Sequence, residues 1–246
     1  LTIFASSNDD SKQLLTGVNF IFKKKYLESA ATDGHRLAVV LVDNNENINE
    51  NINEIDNELS NEENLSVTIP TRSLREIEKL VSLKTTENSI KLFYDKGQIV
   101  FISSNQVITT RTLEGSYPNY SQLIPDSFSK LFTFNTKKLI EALERIAVLA
   151  DQQSSVVKIK VEENDFALIS ADAQDIGSAN ETLPVSSSVK QFDIAFNVRY
   201  LLEGLKVIFT KNVILKCNLP TTPAVIVPED NINSFTYLVM PVQVRS

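Results

Sequence analysis

One pattern occurs twice in this chain and constrains its fold more than any other feature. It is a short apolar run, a turn residue, and an amphipathic helix that opens on an arginine. The first copy reads Val67-Thr68-Ile69-Pro70-Thr71-Arg72-Ser73-Leu74-Arg75-Glu76, and the second Ile194-Ala195-Phe196-Asn197-Val198-Arg199-Tyr200-Leu201-Leu202-Glu203. In each, a lysine follows the arginine by seven residues, as Lys79 and Lys206. Seven residues is close to two helical turns, so both charges share one face. Leu74, Ile77 and Leu80 fall on the opposite face of the first copy, spaced to pack on a sheet. Two related α+β domains of about 120 residues, joined near residues 115–126, are the simplest account. The boundary is placed between 122 and 123.

Local signals fill in the rest. Helical patterns run over 11–16, 71–81, 136–150 and 198–208. Pro70 suits a helix entrance, and Asn135 and Asn197 are candidate N-caps. Strands are expected at 90–94, 99–103, 107–113, 156–161, 166–170, 213–217 and 224–227. Asp33-Gly34 lies between apolar runs at 26–31 and 37–42, and predicts a tight hairpin, since both turn residues tolerate positive φ. Asp33 is expected to brace that turn by a side-chain bond to backbone. Residues 44–64 are rich in Asn and Glu with sparse Ile, and read as a disordered acidic surface insert.

Composition excludes several function classes. Only six glycines are present, and none forms a phosphate-cradling loop. The lone histidine, His35, cannot build a histidine metal cluster, and the lone cysteine, Cys217, permits no internal disulfide. Cys217 sits in an alternating run and reads as a buried apolar residue. A relay of Asp33 and His35 has no nucleophile elbow beside it, so a small hydrolase finds little support. No cofactor and no metal are expected. No stretch nears the ~20 apolar residues of a membrane span. Cysteine poverty suits a cytoplasmic protein. The chain opens on Leu1 in sequence that already has structural patterning, and reads as a piece of a longer protein.

The net charge of −7 argues against a general grip on nucleic acid. Yet three helices repeat a basic row: Arg72, Arg75 and Lys79; Lys138 and Arg145; Arg199 and Lys206. These rows read either as solvated faces or as faces turned toward a polyanion. The i,i+4 pairs Arg72–Glu76, Glu141–Arg145 and Arg199–Glu203 suit the solvated reading. Under the other, surrounding acid weakens the field, so that a duplex is positioned without being arrested.

Three segments carry a family resemblance. Ala31-Thr32-Asp33-Gly34-His35-Arg36-Leu37-Ala38 resembles the hairpin signature of bacterial DNA sliding clamps, the beta subunits of DNA polymerase III. Tyr117-Pro118-Asn119-Tyr120, followed by Leu123-Ile124-Pro125, resembles their connector from middle to third domain. Tyr237-Leu238-Val239-Met240-Pro241-Val242 resembles their terminal motif. The resemblance spans nearly the whole chain apart from the acidic insert.

It implies a middle domain over 1–122 and a C-terminal domain over 123–246, each with two β-sheets and two channel-facing helices. It implies a non-catalytic processivity factor that encircles duplex DNA without sequence preference. The replicative polymerase, clamp loader and repair factors would dock through a short motif rich in Gln, Leu and Phe. By similarity the groove is lined by Leu15, Thr32, Gly34, His35, Arg36, Leu37, Pro118, Leu123, Asn197, Tyr200, Leu238, Val239, Met240 and Pro241. Lys12 joins the basic rows as DNA-facing. Val148, Leu149 and Glu181 would form the C-terminal half of a head-to-tail contact in a homodimeric ring. The family's first domain is not in this chain, so the chain alone is not expected to close a ring. It departs from the family at Ser154, Gln122 and the two-residue extension Arg245-Ser246. The alternative is a peptide-binding adaptor of similar architecture with no DNA role.

Overall fold

The structure, a computed structural model, describes residues 1–43, 65–82, 90–103, 106–150, 155–162, 165–173, 177–230 and 234–243. The acidic insert, Ser154, Arg245 and Ser246 lie outside these, as does the side chain of Leu80. Two compact units emerge. One comprises Leu1–Gly34 with Val39–Pro118, the other His35–Ala38 with Asn119–Ser246.

The first unit holds strands β1 (Gly17–Phe22), β2 (Tyr26–Thr32), β3 (Arg36–Asp43, from Val39 onward) and β4 (Leu65–Pro70), ordered β3-β2-β1-β4. Helix α1 (Thr71–Ser82) follows, then β5 (Lys91–Asp95), β6 (Gln98–Ser103) and β7 (Gln106–Arg111) as a second, three-stranded sheet. Antiparallel register places Val18 opposite Ile69 and Asn19 opposite Ala30. Asn19 is buried, so its amide must find acceptors. Its Nδ2 donates to Ser66 Oγ at 3.1 Å and Thr68 Oγ1 at 3.3 Å. Leu74 and Ile77 of α1 are buried, whereas Arg72, Arg75 and Lys79 are exposed, as the periodicity predicts.

One local expectation is corrected and another takes a definite form. Residues 11–16 lie within a 3-10 segment, Asp10–Thr16, broken at Lys12 (φ −100°, ψ 55°), because Asp9 captures the Ser11 N–H and starts a tighter turn. In the Asp33-Gly34 turn only Gly34 takes a positive φ, +96°, and Thr32 Oγ1 accepts its N–H at 3.1 Å. The two-residue turn with both φ positive is Lys96-Gly97, at +43° and +79°, between β5 and β6.

The second unit repeats the plan. Its elements are β8 (Lys130–Asn135), α2 (Thr136–Ala150), β9 (Val156–Glu162), β10 (Phe166–Ala173), β11 (Gly177–Pro184), β12 (Ser186–Ser187), β13 (Phe192–Asn197), α3 (Val198–Leu205), β14 (Asn212–Cys217), β15 (Ala224–Pro228) and β16 (Phe235–Val239). One sheet runs β12-β8-β14-β15-β16 and the other β11-β10-β9-β13. Phe134, Leu139, Leu143, Ile159, Leu201 and Leu205 converge from both helices and both sheets on one core. Each such buried side chain contributes roughly 1.5–3 kcal/mol of transfer free energy. The repeat thus yields two α+β units, each with two sheets, as expected.

Cys217 is fully buried on β14, and burial pushes its thiol up to about 12. A thiolate is needed for alkylation. At pH 8 the native chain is therefore expected to react with a thiol reagent on the order of a thousandfold more slowly than the denatured chain. Comparable labelling rates with and without denaturant would contradict this.

Candidate functional site

The richest cluster of polar and aromatic side chains lies in the second unit, around the start of α3. Asn197 caps this helix, accepting the backbone N–H groups of Arg199 at 2.9 Å and Tyr200 at 3.4 Å. A side chain at this position satisfies donors the helix cannot satisfy itself. The cap fixes the backbone of Tyr200, whose carbonyl also accepts the hydroxyl of Tyr237 on β16 at 2.8 Å.

Tyr200 is the platform of the cluster. The Arg36 guanidinium lies 4.5 Å above its ring, and the His35 ring stacks on it with centroids 6.3 Å apart and planes 21° apart. Arg36 is 7% exposed, which demands an anionic partner. Glu203 is one such partner, its Oε2 accepting from Arg36 Nη1 at 2.5 Å. The end of β16 closes the arrangement, with Met240 N–H donating to His35 O at 2.9 Å.

Of the residues expected in a groove, His35, Arg36, Asn197, Tyr200 and Met240 meet here. Leu37, Leu238 and Val239 are 1%, 2% and 0% exposed, so they support this surface from beneath. Met240 is 39% exposed and Leu123, on a 3-10 turn (Ser121–Leu123), 53%. Pro241 is half-buried.

The remaining expected residues belong to the first unit. Leu15 is half-buried, Gly34 and Pro118 are exposed, and Thr32 is buried. The Thr32 N–H donates to the Tyr117 hydroxyl at 3.0 Å. Burial pushes the Tyr117 phenol up to about 12, against the pull of that N–H. Lys12, expected to face DNA, donates from Nζ to the Asp33 carbonyl at 3.3 Å, at the signature turn.

The basic rows are exposed on all three described α-helices, and none of these helices has an acidic residue in its first turn. Several of their charges are paired. Glu76 pairs with Lys79 at 2.8 Å, and Glu141 lies 3.9 Å from Lys137. Glu203 pairs with Arg36, and Lys206 pairs across to Glu144 at 2.7 Å. Arg145 forks onto Glu181 of β11, with Nε at 3.0 Å and Nη2 on the other oxygen. That bond holds the Glu181 carboxyl below its ordinary range and raises Arg145. A residue expected to face DNA is thus joined to one expected at a ring contact. Nearby on α2, Val148 is 72% exposed and Leu149 half-buried.

The pairing of Glu203 with Arg36 escaped sequence reasoning, because the two lie 167 residues apart. No local pattern reports such a pair.

Comparison with known proteins converges on one family. Residues 1–119 match the DNA polymerase III beta subunit central domain, and residues 121–243 its C-terminal domain. The chain is 43% identical to the beta sliding clamp of Synechococcus elongatus, over 100% of this chain and 62% of that protein. It is 38% identical to that of a Synechocystis species, over 98% of this chain and 61% of that one. The crystal structure of the DNA polymerase III beta chain from Streptococcus pneumoniae superposes with a TM-score of 0.85 at 29% identity, covering 99% of this chain and 61% of that one. The chain therefore spans about three fifths of the length of these relatives. Matched along its length to two consecutive domains of the same protein, the chain belongs to the DNA polymerase III beta subunit family.

Proposed function

We propose that this chain supplies the central and C-terminal domains of a DNA sliding clamp. In this reading a ring surrounds duplex DNA without reading its sequence, and holds the replicative polymerase and other replication or repair proteins on it. The role is mechanical, with no chemistry performed, and its setting is the bacterial cytoplasm.

The observation that carries this reading is the chemistry of the helix starts. Arg72, Lys137, Lys138 and Arg199 occupy the first turns of the three described α-helices, where no acid is found. The macrodipole favours acids there and disfavours cations by about 0.3–1 kcal/mol each. Residues placed against the helix's own stability are explained by an external anion, and the exposed rows beyond them extend the same faces. The net charge of −7 keeps the attraction weak enough for movement along the duplex.

Partners would dock on the surface around Tyr200, His35, Arg36 and Met240, with apolar anchors against Met240 and Leu123 and polar groups fixing orientation. The edge of β11 with Glu181, together with Val148 and Leu149, would provide the C-terminal side of a head-to-tail ring contact. Edge strands are apt to pair with another chain.

The DNA reading is tested by reversing charge at Arg72, Lys79, Arg199 and Lys206 in the full-length protein and timing its release from closed circular DNA. Loss of four phosphate-facing cations is expected to shorten retention at least about tenfold and to flatten its salt dependence. Unchanged retention and salt slope would leave the basic rows as solvated faces.

A further inference from the structure

We infer that Glu144 is an internal competitor of DNA phosphate: it occupies Lys206, and so keeps the hold on the duplex weak enough for sliding. The inference rests on the DNA reading above and names within it a residue that sets how strongly the duplex is held.

The last cation of each basic row is paired with an acid. Glu76 takes Lys79 at 2.8 Å, Glu181 takes Arg145 Nε at 3.0 Å, and Glu144 takes Lys206 at 2.7 Å. The third pair is the most informative, because it joins two helices and neither partner is expected at the ring contact. Lys206 is the C-cap of α3, its own N–H donating to Leu202 O at 3.0 Å, whereas Glu144 belongs to α2.

Neither the helices nor the lysine needs this acid for stability. Leu139 and Leu143 of α2 already share a core with Leu201 and Leu205 of α3. A cation at a helix C-terminus is favoured by the macrodipole without any further anion. What the acid supplies is a resting place for the ammonium. The side chains of Lys206 and Glu144 are 54% and 48% exposed, so neither carries a large desolvation cost. Opening an exposed pair of this kind shifts an equilibrium by only about two- to fivefold. A phosphate oxygen offers the same ammonium an acceptor of like charge, and an ammonium is a point charge with no fixed fork to satisfy. Lys206 therefore passes from carboxylate to phosphate and back at small cost. A cation with an anion to return to leaves one phosphate before it meets the next. With the Glu144 charge removed, nothing at that carboxylate opposes the phosphate, and the hold tightens.

The test follows single full-length proteins loaded on duplex DNA tethered at both ends, recording their one-dimensional diffusion at several salt concentrations. Glu144→Gln, similar in shape, is expected to slow diffusion about two- to fivefold. Its dependence on log salt should steepen by about 0.9, the signature of one further phosphate contact. A Lys206→Gln background should erase the effect, so that the double variant moves like Lys206→Gln alone. That arm separates direct competition from the loss of one negative charge, which is the same in both backgrounds. Parent-like diffusion in Glu144→Gln overturns the inference, as does undiminished slowing in the Lys206→Gln background. If Glu144→Gln does not fold, Glu144→Ala is judged by the same criteria. Loss of folding in both overturns the inference too, since the pair would then be a strut between helices. The fourfold charge reversal described above, run on the same DNA, tells the two failures apart. If it leaves the motion unchanged, the DNA reading falls and the inference with it. If it alters the motion while Glu144→Gln does not, the inference alone falls.

Discussion

Replacing Gly204 with alanine is expected to destabilise the second unit by about 1–3 kcal/mol, even though the substitution favours a helix intrinsically by about 1 kcal/mol. The two effects have opposite sign, and geometry decides between them. A Cβ at Gly204 would lie 2.1 Å from Cε1 and 2.3 Å from Cδ1 of Tyr237. Real Cβ atoms do not approach that closely, so the ring must move. It is 0% exposed and tied through its hydroxyl to the Tyr200 carbonyl, so it has nowhere cheap to go. Thermal unfolding should show the melting temperature falling by roughly 4–12 °C. Tyr237→Phe, which deletes the hydrogen bond to the Tyr200 carbonyl, should cost only about 1 kcal/mol. A Gly204→Ala chain as stable as the parent would mean that α3 and β16 pack less closely than described.

Tyr200→Ala is expected to abolish most peptide docking while leaving the fold standing. Tyr200 is only half-buried, and its backbone is secured by groups an alanine retains: the Asn197 cap and the Tyr237 hydroxyl. The side chain, by contrast, carries both the Arg36 and the His35 stacks. Its loss removes the common platform of two further contact residues. Truncation of an aromatic anchor at a docking surface typically costs 2 kcal/mol or more, or about thirtyfold in affinity by titration. An affinity within about twofold of the parent, with the fold intact, would place the docking surface elsewhere.

Much of this architecture is legible in the chain because it rests on periodicity. The helix expected at 136–150 is observed over Thr136–Ala150, since Leu139, Leu143 and Ile146 mark its buried face and Asn135 its cap. The helix expected at 198–208 ends as α3 at Leu205, with Ile208 N–H turning back to Leu205 O in a tighter turn. Strands with mixed patterning were harder to see. β11 reads Gly-Ser-Ala-Asn-Glu-Thr-Leu-Pro, and only Leu183 along it is buried, because it lies at a sheet edge. Edge strands need little apolar alternation and so announce themselves weakly.

The site divides the same way. Asn197 is recognisable as a cap from its place before the helix, and the resemblance singles out His35, Arg36, Tyr200 and Met240. What joins them is long-range and leaves no local trace. The Arg36–Glu203 bond, the Tyr237 hydroxyl on Tyr200, and the close approach that requires glycine at 204 all depend on how strands and α3 pack.

The central proposal is that this chain is part of a ring that holds DNA by topology rather than by grip. It is tested most directly by loading the full-length protein onto nicked circular DNA, then cutting the circle once and following the protein that remains. The account predicts stable retention on the circle and rapid loss over the free ends once it is linear. Equal retention on circular and linear DNA would contradict it.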